Sequence, residues 1–279
     1  MIPANRKSAA LAFVALLFMP GMEVAAQSNG ARPAADQMTI WQARRMLVAG
    51  TEYVKWHGGE IDRGSFRFTP DSFEFDVADS KTGTQHFKVE FKLLEPASVK
   101  CNKYGRKVVA CFLKNDAGKF YHSPLSLVWR EGSIWTASCS SNCVHAAESF
   151  AAALNRLRAV ANDTESPLNN FPQRAAAWRA LASKPPIPEE VRVQRLLAED
   201  AVKQKKPEEA LNSYETGLEL DPTWPQGYFN AALIADELGF YAEAIEHMQA
   251  YLELVPDAQD AQAARDQIVI WQYKAKGAK

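Results

Sequence analysis

Residues 191–224, VRVQRLLAEDAVKQKKPEEALNSYETGLELDPTW, run straight into residues 225–258, PQGYFNAALIADELGFYAEAIEHMQAYLELVPDA, and the reading of these two stretches decides the fold. Laid over each other at a period of 34 residues, Ala198 falls on Ala232, Ala201 on Ala235 and Ala210 on Ala244. Tyr214 then falls on Met248, Leu218 on Leu252, Leu220 on Leu254 and Pro222 on Pro256. Small residues at matched places let paired helices approach closely, Leu and aromatic residues fill the space between them, and each proline closes a unit where a new helix begins. Pro207 followed by Glu208 and Glu209 suits a helix start, where acids meet the positive end of the helix dipole.

This pattern resembles the tetratricopeptide repeat, with units at 191–224 and 225–258 and the family's inter-helix turn at Leu238-Gly239-Phe240-Tyr241. Gln194, Lys205 and Gly217 depart from it, more in the first unit than in the second. The resemblance implies that the first helix of each unit lines a concave surface for an extended peptide or a partner's helix. By position in the repeat, Arg192, Arg195, Glu199 and Lys203 from the first unit face that surface, with Gln226, Phe229, Asn230, Leu233 and Asp236 from the second. Arg195 and Asn230 stand where clamp-type members grip a terminal carboxylate, which charge and paired hydrogen bonds make chemically sensible. Glu199 would repel such a carboxylate, and an ordinary Arg195–Glu199 pair on the helix face is the preferred reading. Two units alone bury little, so caps are expected from residues 171–183 before them and from a closing helix over 258–273 after them. In the latter Ala261, Ala264, Ile268 and Trp271 form a stripe opposite Gln262, Arg265, Asp266 and Gln272, and the basic tail 274–279 follows.

Upstream the period changes. Thr39 can cap a short helix that breaks at Gly50, and Tyr53, Val54 and Trp56 suggest a strand. From Ser65 apolar residues alternate: Phe66 and Phe68, then Phe73, Phe75 and Val77, then Phe87, Val89, Phe91 and Leu93. Lys88, Glu90 and Lys92 occupy the alternate positions, as half-buried antiparallel strands require. Further strands are expected at 99–103, 107–114, 119–121, 125–129 and 134–137. From His145 the period is helical, with Phe150, Leu154, Leu157 and Val160 on one stripe. A meander closed by one amphipathic helix resembles the pleckstrin-homology-like or GRAM-like fold over residues 50–161, within a β-rich segment 38–161. The expected whole is α+β, with a proline-rich connector at 162–190 carrying one short helix from Ala175 to Leu181.

Arg6 and Lys7, the apolar run Ala9 to Met19, Pro20-Gly21 and Val24-Ala25-Ala26 have the form of a secretory signal cleaved after Ala26, with a flexible leader at 27–37. The chain is therefore expected to be exported, periplasmic or secreted. A net charge of -1 over 279 residues shows no excess that would advertise nucleic acid as a partner. That total hides an opposition. Residues 38–161 carry 17 Lys+Arg against 12 Asp+Glu, and residues 191–258 carry 5 against 13. Such opposite signs fit two modules that dock on each other or prefer different partners.

The four cysteines, Cys101, Cys111, Cys139 and Cys143, read as local disulfides in an exported chain. A redox or metal role for the Cys139/Cys143 loop is the sharper alternative, without the motif context that would lower a thiol pKa. His57, His86, His122, His145 and His247 are scattered, and His86 and His247 read as surface or boundary imidazoles. Asp62, Asp71, Asp76 and Asp79 cluster near turns, which turn chemistry explains. No HExxH, GxSxG or phosphate-cradling loop is present, so neither catalysis nor a cofactor or metal is expected. The leading expectation is a non-enzymatic interaction protein that binds a peptide or protein through its repeats. Lipid or small-molecule binding by the β segment is the alternative.

Overall fold

Thr39 accepts the Gln42 amide hydrogen on its hydroxyl at 3.1 Å, while the Gln42 side chain accepts the Thr39 N–H at 2.8 Å. This reciprocal cap starts α1, Ile40–Gly50. The computed structural model describes residues 38–51, 60–79, 83–94, 96–104, 108–114, 142–163, 166 and 168–277. The signal and leader expected at 1–37 lie outside the described residues, as do the strands expected at 53–56, 119–121, 125–129 and 134–137.

The layout is α+β: an antiparallel sheet near the N-terminus, then a helical region. Strands β1 (Glu60–Phe68), β2 (Ser72–Asp79) and β3 (Gly83–Glu90) pair in that order, with a register shift in β1 between Asp62 and Arg67. Their alternation puts Phe66, Phe73, Phe75, Val77, Phe87 and Val89 on one buried face. The rings touch in series: Phe66 stacks on Phe75 at 5.2 Å and Phe73 meets Phe91 at 5.6 Å. The third strand ends at Glu90 rather than running to Leu93, because Phe91–Leu93 close into a single 3-10 turn. Phe91 is buried there and Leu93 is exposed. Strands β4 (Ser98–Tyr104) and β5 (Val108–Lys114) form a separate two-stranded ladder.

Helix α2, Asn142–Asn162, packs on α1, on the Phe91–Leu93 turn and on β4 and β5. Phe150, Leu154 and Leu157 are its buried stripe. A methyl group at Gly50 would lie 2.8 Å from the Phe150 ring, so the glycine that ends α1 is also what lets the two helices close. Asn155 pins the chain after the turn, donating to the Ala97 carbonyl at 2.8 Å and accepting the Ala97 N–H at 2.7 Å.

The 34-residue period becomes two helical hairpins, α4 (Glu189–Lys203) with α5 (Pro207–Leu220) and α6 (Pro225–Glu237) with α7 (Tyr241–Leu254), closed by α8 (Ala261–Gly277). Each helix packs on the next along this series. Ala198, Ala201, Ala210, Ala232, Ala235 and Ala244 are all buried. The aligned leucines behave less uniformly, since Leu218 and Leu254 are buried whereas Leu220 is exposed. In the closing helix Ala261, Ala264, Ile268 and Trp271 are buried, as their stripe predicts. Gly217 departs from the repeat pattern for a visible reason. A methyl group there would sit 2.8 Å from the Trp224 ring, and one at Gly227 would sit 2.3 Å from it. Trp224 fills the space that two glycines vacate.

Helix α3, Phe171–Ala180, corrects an expectation. It packs against α7 rather than capping the first hairpin. Phe171 meets Tyr228 edge-on at 5.6 Å, and Arg179 donates to the Glu253 carbonyl. The α3 helix carries little amphipathic contrast, with Ala175 its one buried residue, so its docking is set by the ends and not by a stripe.

The two hairpin turns are alike. Lys206 N–H donates to the Ala201 carbonyl at 2.9 Å and Phe240 N–H to Ala235 at 2.8 Å, each closing its helix over a residue of left-handed backbone. In the second turn that residue is Gly239, φ +78°, and in the first it is Lys205, φ +57°. Left-handed backbone costs a residue with a Cβ roughly 1–2 kcal/mol relative to glycine. Lys205→Gly is therefore expected to stabilise the protein by about 1 kcal/mol, read as a higher urea midpoint at unchanged slope.

Candidate functional site

None of the nine residues assigned to the binding face is fully buried. Arg192, Lys203, Gln226 and Leu233 are exposed, and Arg195, Glu199, Phe229, Asn230 and Asp236 are half-buried. Some are brought together. Arg195 Nε lies 3.6 Å from Glu199 Oε1, and Asn230 donates to the Tyr214 hydroxyl at 3.1 Å. Burial raises the Tyr214 phenol above its ordinary pKa, and the charges of Glu199 and Arg195 both reach it. Arg195, Glu199 and Asn230 thus converge on one tyrosine of α5. The groups placed at the clamp positions are already engaged, the base by an acid and the amide by a phenol.

The others are dispersed. Phe229 packs edge-on against Tyr251 at 5.2 Å, Asp236 pairs with Lys274 at 2.7 Å, and Arg192 pairs with Glu189 at 2.6 Å. The face that results is polar at its margins, with Leu233 exposed beside Phe229.

On the opposite helices of the hairpins lies a denser cluster. Helix α1 has no acid in its first turn, and α5 supplies two. Thr39 Oγ1 donates to Glu215 at 3.1 Å and Ile40 N–H donates to Glu219 at 2.6 Å, so both carboxylates sit at the positive end of α1. Arg45 then grips Glu215 with both terminal nitrogens, at 2.7 and 2.8 Å, and reaches Glu243 of α7 and Asn212 of α5. Arg44 Nη1 donates to both oxygens of Glu246 at 2.8 Å. From α2, Arg156 donates to Glu219 and to the Met38 carbonyl, each at 2.7 Å. Three arginines of the N-terminal segment are thereby matched to four glutamates of α5 and α7.

His247 of α7 lies inside this cluster, which corrects its reading as a surface or boundary imidazole. It is 0% exposed, 4.9 Å from the Trp41 ring and 3.7 Å from Glu215. Helix α7 shows one buried stripe, Ala244, His247, Met248, Tyr251 and Leu254, and the periodicity carries the histidine inward with the rest. His86, by contrast, is exposed, with Nδ1 2.8 Å from Asp76. Asp62 accepts the Gly64 N–H at 2.9 Å, a turn contact as its sequence suggests.

The cluster shifts its own acids in opposite directions. Burial lifts the Glu215 carboxyl, and the Arg45 guanidinium overrides that by charge and hydrogen bond, holding it at about 2. Burial lifts Glu243 to about 8; Arg45 pulls against this, and the neighbouring Glu215 charge adds to it.

A cavity of about 410 Å³ opens beside the cluster. Ile40, Trp41 and Arg44 of α1, Phe68, Leu157 of α2, Phe171 of α3 and Tyr228 of α6 are among the residues around it. Sequence reasoning missed it, since it draws on segments far apart in the chain.

In backbone register Cys101 stands opposite Cys111, while the disulfide pairing expected for these two and for Cys139 with Cys143 lies outside the described residues. His57, His122 and the side chain of His145 lie outside them too. Among the described residues no His, Cys, Asp and Glu group is placed to hold a metal ion, and no helix is long and apolar enough to cross a membrane. No family model matches the chain, and no curated protein matches it.

The two shifted acids give stability opposite pH dependences. A carboxyl whose pKa is higher in the fold contributes stability that is fully present below its unfolded value and lost as pH rises through the folded value; for Glu243 the window runs from 4.5 to about 8. Glu215 contributes above 4.5 and loses its contribution as pH falls towards about 2. The melting temperature is expected to decline from about pH 5 to pH 8, and Glu243→Gln to flatten that decline while leaving the acid limb in place, as differential scanning calorimetry across pH would read.

Proposed function

We propose that this chain is an exported, non-enzymatic interaction protein whose two hairpins are tetratricopeptide units, and that the α4 and α6 face holds a peptide or protein partner. One observation carries the reading. The N-terminal segment engages α5 and α7 through Arg44, Arg45 and Arg156, so the charged contacts of that segment go to the second helix of each hairpin. The first-helix face keeps nine groups with at least part of their surface in solvent, including an exposed leucine next to a half-buried phenylalanine. An apolar anchor site rimmed by polar groups is the arrangement that helix-lined peptide surfaces use. The internal pairing of Arg195 and Asn230 speaks for a partner held by side-chain packing rather than by a terminal carboxylate. Phe229→Ala combined with Arg195→Glu is expected to remove most co-purifying partner in a quantitative pull-down from the exported fraction. Unchanged recovery would remove the assignment of this face.

A second reading is that the β segment, taken as a pleckstrin-homology-like fold with α2 as its closing helix, binds a lipid or small molecule. The cavity beside α1 and Phe68 favours it. Arg44, the basic residue that lines that cavity, weighs against an anionic headgroup, because it is already held by Glu246. Flotation of the whole chain with anionic liposomes at low salt separates the cases: retention that 0.5 M salt, about a 4 Å screening length, abolishes supports headgroup binding, and no retention excludes it. The thiol reading of Cys139 and Cys143 rests on sequence alone.

A further inference from the structure

The walls of the cavity beside α1 are largely aromatic and aliphatic, and their charges do not cancel. Trp41 and Tyr228 are buried in the lining, while Phe68 and Phe171 keep part of their surface open, and Phe171 stands edge-on to Tyr228 at 5.6 Å. The charged residues of the lining are Arg44, Glu246 and Glu253. Arg44 and Glu246 neutralise each other at 2.8 Å. Glu253 lies seven residues beyond Glu246 on α7, about two turns, so both acids fall on the stripe that lines the cavity. Its carboxylate has no ion pair or hydrogen bond among the described residues, and Arg179 reaches its backbone carbonyl instead. Thr69, Asn169 and Gln249 add polarity without charge, which leaves the lining one net negative charge. Tyr228 registers that field. Burial raises its phenol above the ordinary pKa, and the charges of Glu246, Asp221 and Glu253 raise it further, so the ring stays neutral. A cation already rests on one of these rings, since the Arg44 guanidinium lies 5.4 Å from the Phe68 centroid.

We propose that this cavity binds a small organic cation, an alkylated ammonium with an apolar arm, held by the aromatic side chains and by the Glu253 carboxylate. The inference rests on the small-molecule reading of the cavity and narrows it to one charge class. Its volume of about 410 Å³ lies within the roughly 300–1,000 Å³ typical of small-molecule sites. Aromatic faces attract a cation through their quadrupole, and the attraction grows as water is excluded. An anion would meet Glu246 and Glu253 with no uncommitted base in the lining to receive it, because Arg44 Nη1 already donates to both oxygens of Glu246. A neutral ligand would fill the space and leave Glu253 uncompensated in drier surroundings. A phosphocholine headgroup would set its phosphate against the same two acids, so the ligand is a free cation and not a membrane lipid.

Ligand-observed NMR titration of the full chain with three probes of similar size tests this: benzyltrimethylammonium, the uncharged dimethyl benzyl carbinol and the anion hydrocinnamate. The cation is expected to bind with a Kd of about 1 mM or tighter, the carbinol roughly tenfold more weakly and hydrocinnamate not at all. Glu253→Gln, at a half-buried position whose fold is checked by circular dichroism, is expected to weaken the cation by roughly three- to tenfold and leave the carbinol unchanged. Phe171→Leu keeps an apolar side chain without a ring and is expected to weaken the cation more than the carbinol. A carbinol that binds as tightly as the cation, or a preference for hydrocinnamate, would overturn the charge class while leaving the small-molecule reading of the cavity in place. A cation indifferent to either substitution binds elsewhere, which overturns the inference as well. Failure of all three probes would remove the inference and the small-molecule reading together.

Discussion

The guanidinium of Arg45, set between Glu215 and Glu243, is the contact on which the rest of the arrangement depends. Helix α1 has eleven residues and belongs, by sequence, to the β segment. Its first turn is completed by carboxylates from α5, and its middle is fastened to both α5 and α7. Taking three charges out of water is costly, and their mutual attraction compensates only when the geometry and hydrogen bonding are nearly complete. Here they are for Arg45 and Glu215. Removing one partner of such a cluster strands the others, generally at about 3–5 kcal/mol, so the contact is held in place by what its loss would leave behind. The same economy explains why Glu243 titrates high: one guanidinium serves two acids, and the second is left under-compensated.

That cluster also sorts the surfaces of the helical region. Because the ion pairs of the N-terminal segment go to the second helices of the hairpins, the first helices keep part of their outer side chains in solvent. The proposed partner face and the docked face are thus carried by different helices of the same two hairpins. Rigidity is supplied where the hairpins meet the β segment, through Trp41, His247 and Tyr228 as well as the ion pairs.

Much of this was legible. The alanines, the two prolines and the 34-residue period place the hairpins, since close helix approach demands small residues at fixed intervals whatever else varies. Thr39 and Gly50 bracket α1, and the alternating phenylalanines place β1 to β3. The opposite charge of residues 38–161 and 191–258 pointed to docking as one of two outcomes, and Arg44, Arg45 and Arg156 against Glu215, Glu219, Glu243 and Glu246 are that opposition in atomic form. What could not be read was which charges met. Glu215 and Lys203 look alike as solvated helix residues, and His247 looks like a boundary imidazole, because periodicity within one helix says which side is buried but not what covers it. Nor does any local signal send α3 to α7, as its own face is nearly uniform.

The left-to-right order of manufacture gives the Arg45 contact one more meaning. The residues that complete α1 lie between 167 and 202 positions further along, so the ribosome releases the arginines long before their acids exist. Until α7 emerges, a nascent chain carries an incomplete first helix and an open seam beside Trp41. The N-terminal segment therefore cannot close until α7 has been made, although β1 to β5 precede it in the chain.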